Sequence, residues 1–148
     1  MKVKYTLMAL LFCGIALAPV SAQVLGKVGD EKHCLPAMPV DIGEYGSAWT
    51  TDDRNGDGMV DHVAPFDKNG RTSAEAFDFN FDGKMADFYT FSGGAVTQEE
   101  LDTNYDGFID LWVQVYQGVY VASYERDSNF DGKLDIVKQY GKDQIVKR

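Results

Sequence analysis

The sequence predicts an all-β fold, an antiparallel meander of hairpin repeats that are each about 25 residues long. Three observations support this prediction. The string Asp-x-Asn-x-Asp-Gly occurs four times, and its starts are 25, 24 and 25 residues apart. The segments between the strings are rich in β-branched and aromatic side chains, which favour strands. Each segment also contains a glycine-based signal for a tight turn.

The first 22 residues read as a secretory signal peptide. Lys2 and Lys4 give a basic start, an apolar stretch follows, and the segment ends in small residues up to Ala22. We therefore expect the exported chain to begin near Gln23 and to be secreted, periplasmic or on the cell surface. No other apolar run is long enough to cross a bilayer, so no membrane insertion is expected after the signal is removed.

The charge of the chain limits its partners. The formal net charge is −9, and without Lys2 and Lys4 the chain keeps 12 basic and 23 acidic side chains, a net charge of −11. Such a surface repels phosphate backbones and anionic lipids, so nucleic acid is not an expected partner, whereas cations are. Apolar residues make up 45% of the chain, which indicates one folded domain rather than an acidic disordered tail.

Residues 23–49 show no repeat and are rich in glycine and proline. We expect this irregular N-terminal segment to act as a tether or as a cap on the first hairpin. Cys34 is the only cysteine after the signal peptide, so no intramolecular disulfide can form. We expect a buried or idle thiol, with pairing between two molecules as the lesser alternative. His33 and His62 lack any zinc-type spacing.

The four strings begin four loops of nine residues each, which we number by position. They are loop 1 (53–61), loop 2 (78–86), loop 3 (102–110) and loop 4 (127–135). Position 9 is aspartate in three loops, whereas loop 2 has Ala86 there and Asp87 one place later. Position 8 is always apolar, which predicts that it anchors the following strand to the core. The residues at position 8 are Val60, Met85, Ile109 and Leu134.

The composition of the loops points to calcium. A hard divalent cation takes six to eight oxygen ligands, and positions 1, 3 and 5 can turn carboxylate or amide oxygens inward. Glycine at position 6 permits a sharp bend, and the backbone carbonyl at position 7 would add a ligand. The candidate ligands at positions 1, 3, 5 and 7 are Asp53, Asn55, Asp57 and Met59; Asp78, Asn80, Asp82 and Lys84; Asp102, Asn104, Asp106 and Phe108; and Asp127, Asn129, Asp131 and Lys133. Up to four calcium ions would bring the charge of the exported chain to about −3. The alternative interpretation is that each string is only an Asx turn.

The loops resemble two kinds of calcium loop. They are similar to EF-hand loops through positions 6 and 8, but position 12, where an EF-hand has a bidentate glutamate, holds Ala64, Tyr89, Val113 and Lys138. A period of 25 residues also leaves no room for two helices. The form with aspartate at position 9 more closely resembles the loops of FG-GAP and VCBS repeats and of thrombospondin type 3 repeats. This resemblance covers the loops alone and implies no propeller. It implies that Asp61, Asp110 and Asp135 are direct ligands, and Asp87 is the corresponding candidate in loop 2.

The segments between the loops predict pairs of short strands. In the clearest instance, two runs of β-branched and aromatic residues flank Gln117-Gly118. Apolar residues also recur every third place, as they would in a helix, but the segments are short and Pro65 interrupts the first one. We therefore predict seven or eight strands, with the metal loops at one end and the short turns at the other. Phe81, Tyr105 and Phe130, at position 4, could stack along the metal edge.

Taken together, the sequence predicts an exported calcium-binding protein with a signal peptide (1–22), an irregular segment (23–49) and a four-repeat β domain (50–148). The ions would stabilise the fold, and the domain would serve as a surface or extracellular interaction module with a protein or polysaccharide partner. No enzyme activity is expected, because the well-placed aspartates belong to the loops. A carboxylate-based hydrolase is the weaker alternative. The other alternative is a calcium-dependent polysaccharide-binding module. Its aromatic face would be formed by Trp49, Trp112, Tyr116, Tyr120 and Tyr124.

Overall fold

The protein forms one antiparallel β-sheet in a computed structural model that describes residues 25–36, 49–141 and 146–147. The predicted signal peptide lies outside these residues. Within these residues the sheet has nine strands. They are β1 (Trp49–Asp52), β2 (His62–Pro65), β3 (Ala74–Phe77), β4 (Asp87–Ser92), β5 (Ala95–Leu101), β6 (Leu111–Tyr116), β7 (Tyr120–Arg126), β8 (Ile136–Gln139) and β9 (Val146–Lys147). No helix among the described residues is long and apolar enough to cross a membrane.

The first eight strands follow one another across the sheet in chain order, and β9 pairs with the same edge of β7 as β8 does. Each strand is antiparallel to the next. Loops 1 to 4 connect β1 to β2, β3 to β4, β5 to β6 and β7 to β8, while the turns that join β2 to β3, β4 to β5 and β6 to β7 lie at the other end. The loops therefore share one end of the sheet, which confirms the predicted all-β meander.

One face of the sheet holds the hydrophobic core. Position 8 contributes three of its residues, Met85, Ile109 and Leu134, and Val60 packs against them. Three residues further along each repeat, Val63, Phe88 and Trp112 are also buried, and Val137 packs against the cluster. The register places these side chains in one row across the sheet, with Ala76, Glu100 and Glu125 between them. The apolar spacing of three residues therefore does not come from a helix. The first apolar residue lies at the end of a loop and the next one lies in the strand that follows.

Residues 25–36 lie on the loop-bearing end of this core. The N–H group of Ile109 donates to the Cys34 carbonyl over 2.8 Å, and Glu31 forms a bridge with Lys133. Cys34 is half-buried against the core. The expectation of a cap on the first hairpin is therefore wrong for this part of the segment, which contacts loops 3 and 4. The segment lies there because its backbone forms bridges with loops 3 and 4, at and beside their buried position 8 residues.

Glu125 joins this segment to the sheet. Its side chain projects into the core face opposite Trp112, and the residue is only 7% exposed. The carboxylate accepts hydrogen bonds from the Gly26 N–H group and from Lys32 Nζ. Lys32 Nζ also lies 4.2 Å from the centre of the Trp112 ring. The lysine therefore neutralises a buried charge and covers the largest core side chain.

Replacing Lys32 with methionine should destabilise the protein by about 3 kcal/mol, because a buried carboxylate loses its charged partner. Urea unfolding at pH 7 measures this loss. Lys27→Met is the matched control, since Lys27 is exposed and its hydrogen bonds with Asp30 use its backbone N–H and carbonyl groups. Equal stabilities of the two variants would contradict the proposed role of the Lys32 contact.

Glu100 lies in the same row, between Phe88 and Trp112, and burial raises its pKa above the usual value. A raised pKa in the folded state means that stability is lost as the pH rises through that pKa. Glu100→Gln keeps an oxygen that can accept from Gln98 Nε2, which lies 2.7 Å from Glu100 Oε1. This variant should melt a few degrees higher than the parent at pH 7 and at the same temperature near pH 4. Thermal melts at both pH values measure the difference, and an equal gain at both would contradict the titration argument.

Candidate metal centre

The four loops share the same two backbone bends. Position 6 is glycine in the left-handed region in every loop, with φ between 84° and 94°. Position 4 is also left-handed, as Gly56 in loop 1 (φ 77°) and as a bulky aromatic residue in the other three (φ 59° to 62°). Bulky side chains rarely adopt this conformation, so something in the loop must hold it. The position 4 residues concerned are Phe81, Tyr105 and Phe130.

The aspartate at position 1 holds these bends. In every loop one of its carboxylate oxygens accepts the N–H of the position 6 glycine over 2.7 to 2.9 Å. In loops 1, 2 and 4 the other oxygen accepts the N–H of position 4 over 2.7 to 2.8 Å. Hydrogen bonds to a charged acceptor are about twice as strong as neutral ones, which offsets the strain of the left-handed residues. The aspartate thus organises the backbone around its own carboxylate.

Positions 3 and 5 complete the inner side of each loop. The carboxylate at position 5 accepts the N–H of position 7 over 2.8 to 3.0 Å in all four loops. In loops 1, 3 and 4 the amide oxygen at position 3 accepts the N–H of position 5. These bonds hold the side chains at positions 1, 3 and 5 within one compact turn. Each of these hydrogen bonds uses one lone pair of the accepting oxygen, so that oxygen can still accept a second partner.

The aspartate at position 9 folds back onto the start of its own loop. Asp61, Asp110 and Asp135 each accept the N–H of position 2 over 2.7 to 2.8 Å. Burial raises the pKa of Asp110, whereas hydrogen bonds from Ser128 lower the pKa of Asp135. The three position 9 carboxylates therefore occupy equivalent places in different environments.

Loop 1 brings its carboxylates closest together. Asp53, Asp57 and Asp61 each offer an oxygen within 4.8 Å of the others, and no other group of three or more metal-binding side chains is this close among the described residues. Two ligands on opposite sides of a calcium ion are about 4.6 to 5.2 Å apart. Asp61 is 1% exposed, and its Oδ1 atom has no hydrogen-bond partner among residues 25–36, 49–141 and 146–147. The geometry of this triad fits a single hard cation.

Loop 2 differs from the others because Ala86 occupies position 9. Asp87 is the first residue of β4, where its Oδ2 atom lies 3.0 Å from the Tyr89 hydroxyl. The same hydroxyl is 3.0 Å from Glu99 Oε1, and burial raises the pKa of Tyr89. Asp87 is thus placed in a strand beside a tyrosine, which leaves loop 2 itself with two carboxylates.

Backbone hydrogen bonds connect each loop to the next. The N–H of Asp78 donates to the Asp61 carbonyl over 2.8 Å, that of Asp102 to Ala86 over 2.8 Å, and that of Asp127 to Asp110 over 2.9 Å. Position 1 of one loop is therefore bonded directly to position 9 of the loop before it. These bonds continue the sheet ladder beyond the strands and fix the loops side by side.

The aromatic residues do not form the expected surfaces. Phe81, Tyr105 and Phe130 are 43 to 46% exposed, and no ring contact among the described residues joins any two of them, so the expected stack is wrong. Trp112 is 3% exposed in the core, and the register puts Tyr124 on the opposite face of the sheet. The five aromatic residues suggested for a polysaccharide face therefore do not share one face.

Sequence reasoning missed the residue at position 2. Thr103 Oγ1 donates to Asp110 Oδ1 over 2.8 Å, and Ser128 Oγ donates to Asp135 Oδ2 over 2.7 Å. Loop 1 has Arg54 at this position, which offers only its N–H group to Asp61. The sequence does distinguish the loops at this position, because only loops 3 and 4 have a hydroxyl side chain there.

Comparisons with known proteins add no assignment, since no family model, no curated protein and no solved structure matches the chain.

The left-handed position 4 yields a matched test of the loop backbone. Tyr105→Gly should be more stable than Tyr105→Ala by about 1 kcal/mol, because glycine alone adopts a positive φ without steric cost. At Lys138, an exposed position in β8 without positive φ, the order should reverse, with alanine the more stable by about 0.5 to 1 kcal/mol. Urea unfolding measures both pairs. The same order at both positions would contradict the strained conformation of Tyr105.

Proposed function

We propose that this protein is an exported calcium-binding repeat protein, in which ions held by the four loops stabilise the sheet. The observation that carries the proposal is the triad of loop 1, where three carboxylates converge within 4.8 Å. The other loops repeat the same bends and the same position 1 hydrogen bonds. Its export rests on the signal peptide that the sequence predicts.

The donor set favours calcium over other metals. Every proposed ligand is an oxygen of a carboxylate, an amide or the backbone, which suits hard cations rather than zinc or copper. Magnesium requires a tight octahedron and gives up its water reluctantly, whereas calcium accepts more ligands in a flexible arrangement. A loop that offers three carboxylates and adjustable carbonyls supports calcium as the better fit.

The ions would act as structural staples. Three carboxylates held close together repel one another, and a divalent cation reverses this repulsion into attraction. The loops lie at one end of a single sheet whose core occupies one face, so an ion in each loop would fix the join between two strands. Without a bidentate glutamate at position 12 we expect dissociation constants of about 10⁻⁴ to 10⁻³ M, which suits an extracellular module.

A surface or extracellular interaction module is the biological use that we propose for this domain. The exposed aromatic side chains at position 4 support it, because they stand beside the proposed ions and are not used by the core. The partner would be a protein or a polysaccharide.

Calcium should raise the melting temperature of the protein. A ligand that binds only the folded state stabilises it by about 2.7 kcal/mol per site at a hundred times its dissociation constant. Melting in 10 mM calcium, 10 mM magnesium and excess chelator should give the highest midpoint with calcium, by roughly 5 to 10 °C over chelator. Equal midpoints in all three conditions would refute the proposal.

A pair of variants separates the loops from general screening of charge. Asp57→Asn removes a carboxylate from the loop 1 triad and should reduce the calcium-dependent shift. Asp67→Asn removes an exposed carboxylate from the turn between β2 and β3, at the other end of the sheet, and should leave the shift unchanged. The same reduction in both variants would mean that calcium acts only by neutralising the acidic surface.

A further inference from the structure

We infer that the four loops are unequal, that loop 1 is the primary calcium site, and that the residue at position 2 sets this order. The inference rests on the proposed function, because it ranks the sites that the proposal assigns. The orphaned oxygen of Asp61 carries it.

Asp61 is buried to the same extent as a core side chain, yet its carboxylate is incompletely satisfied. Oδ2 accepts hydrogen bonds from the N–H groups of Arg54 (2.7 Å) and Asn55 (3.1 Å), while Oδ1 is buried and has no hydrogen-bond partner within the part of the chain that the structure describes. A buried carboxylate oxygen without a partner is costly, and native structures seldom leave one. The Asp61 carboxylate belongs to the triad with Asp53 and Asp57, so a cation that it binds through Oδ1 would supply the missing partner.

Loops 3 and 4 satisfy their position 9 carboxylates internally. Asp110 receives one hydrogen bond on each oxygen, from the N–H group and from the hydroxyl group of Thr103. Asp135 receives three on Oδ2, two of them from Ser128, and Asn129 Nδ2 lies 3.4 Å from Oδ1. An ion entering these loops would have to share or displace bonds that already stabilise the carboxylate.

Loop 1 cannot do the same, because Arg54 has no hydroxyl group. Its guanidinium is engaged outside the triad, where Cζ lies 4.9 Å from the centre of the Phe77 ring and Nε lies 3.6 Å from Asp52 Oδ2. Loop 2 has no position 9 carboxylate at all. The hydroxyl group at position 2 takes up acceptor capacity of the position 9 carboxylate in loops 3 and 4, at Asp110 Oδ1 and at Asp135 Oδ2, and loop 1 lacks this donor. The side chain at position 2 therefore sets how much of that carboxylate remains for an ion.

Calcium isotherms of the full protein and of two variants test the order of the sites. The probe is calcium itself, measured by competition with a chromophoric chelator at pH 7. The parent protein should bind one ion at least ten times more tightly than the others. Asp61→Asn should lose this tight site, and Asp110→Asn should retain it. Loss of the tight site in Asp110→Asn, or its survival in Asp61→Asn, would overturn the inference.

Two substitutions at position 2 test the cause and leave every carboxylate in place. Arg54→Thr supplies loop 1 with a hydroxyl group and should weaken the tight site about tenfold. Thr103→Val removes the hydroxyl group from loop 3 and should create a second tight site. Unchanged isotherms for both would overturn the role of position 2, even where Asp61→Asn fails to fold. A parent protein that binds no calcium would refute the proposed function itself, whereas four equal sites would refute only the ranking.

Discussion

A row of buried aspartates crosses the end of the sheet where the strands end and the loops begin. The rest of the structure depends on the hydrogen bonds that stabilise these buried carboxylates. Asp61, Asp78, Asp102, Asp110 and Asp127 are all buried. Asp78, Asp102 and Asp127, the position 1 residues of this row, accept N–H groups of their own loops, and each donates its own N–H to the loop before it. Burying unpaired charge is expensive, so these bonds to backbone dipoles are what allow the acidic row to exist in a folded chain.

The same arrangement couples the loops to the core. Position 8 follows the last bend of each loop, and it places Met85, Ile109 and Leu134 in the hydrophobic cluster. A shift of one residue within a loop would move the next strand by one place and turn its apolar side chains to the other face. The fixed loop length therefore sets the strand register, and the row of Val63, Phe88 and Trp112 depends on it.

The sequence predicted the features that follow from its repeat and its turn residues, and it missed contacts between distant parts of the chain and the backbone conformation inside the loops. The meander, the shared end of the loops and the buried position 8 follow from a period of 25 residues together with turn chemistry, which are local properties. Residues 25–36 dock on loops 3 and 4 through backbone bridges and through the contact between Lys32 and Glu125, 93 residues apart, and no local pattern encodes these contacts. Phe81 and Phe130 at position 4 adopt a left-handed conformation against their local propensity, because the position 1 carboxylate accepts their N–H groups.

The preformed loops also bear on how ions would act. A flexible acidic loop must lose conformational freedom when it binds an ion, and this cost reduces its affinity. Here the carboxylates at positions 1 and 5 are already fixed by hydrogen bonds from their own backbone, so most of that ordering accompanies folding. The loops then differ in one respect, which is whether the position 9 carboxylate has an oxygen that accepts no hydrogen bond and is available to an ion. Among the described loops Asp61 has one that is buried and unsatisfied, whereas Asp110 is committed to Thr103. Folding and affinity would then be governed by different residues of the same loop, with position 1 holding the backbone and positions 2 and 9 setting the attraction for the ion.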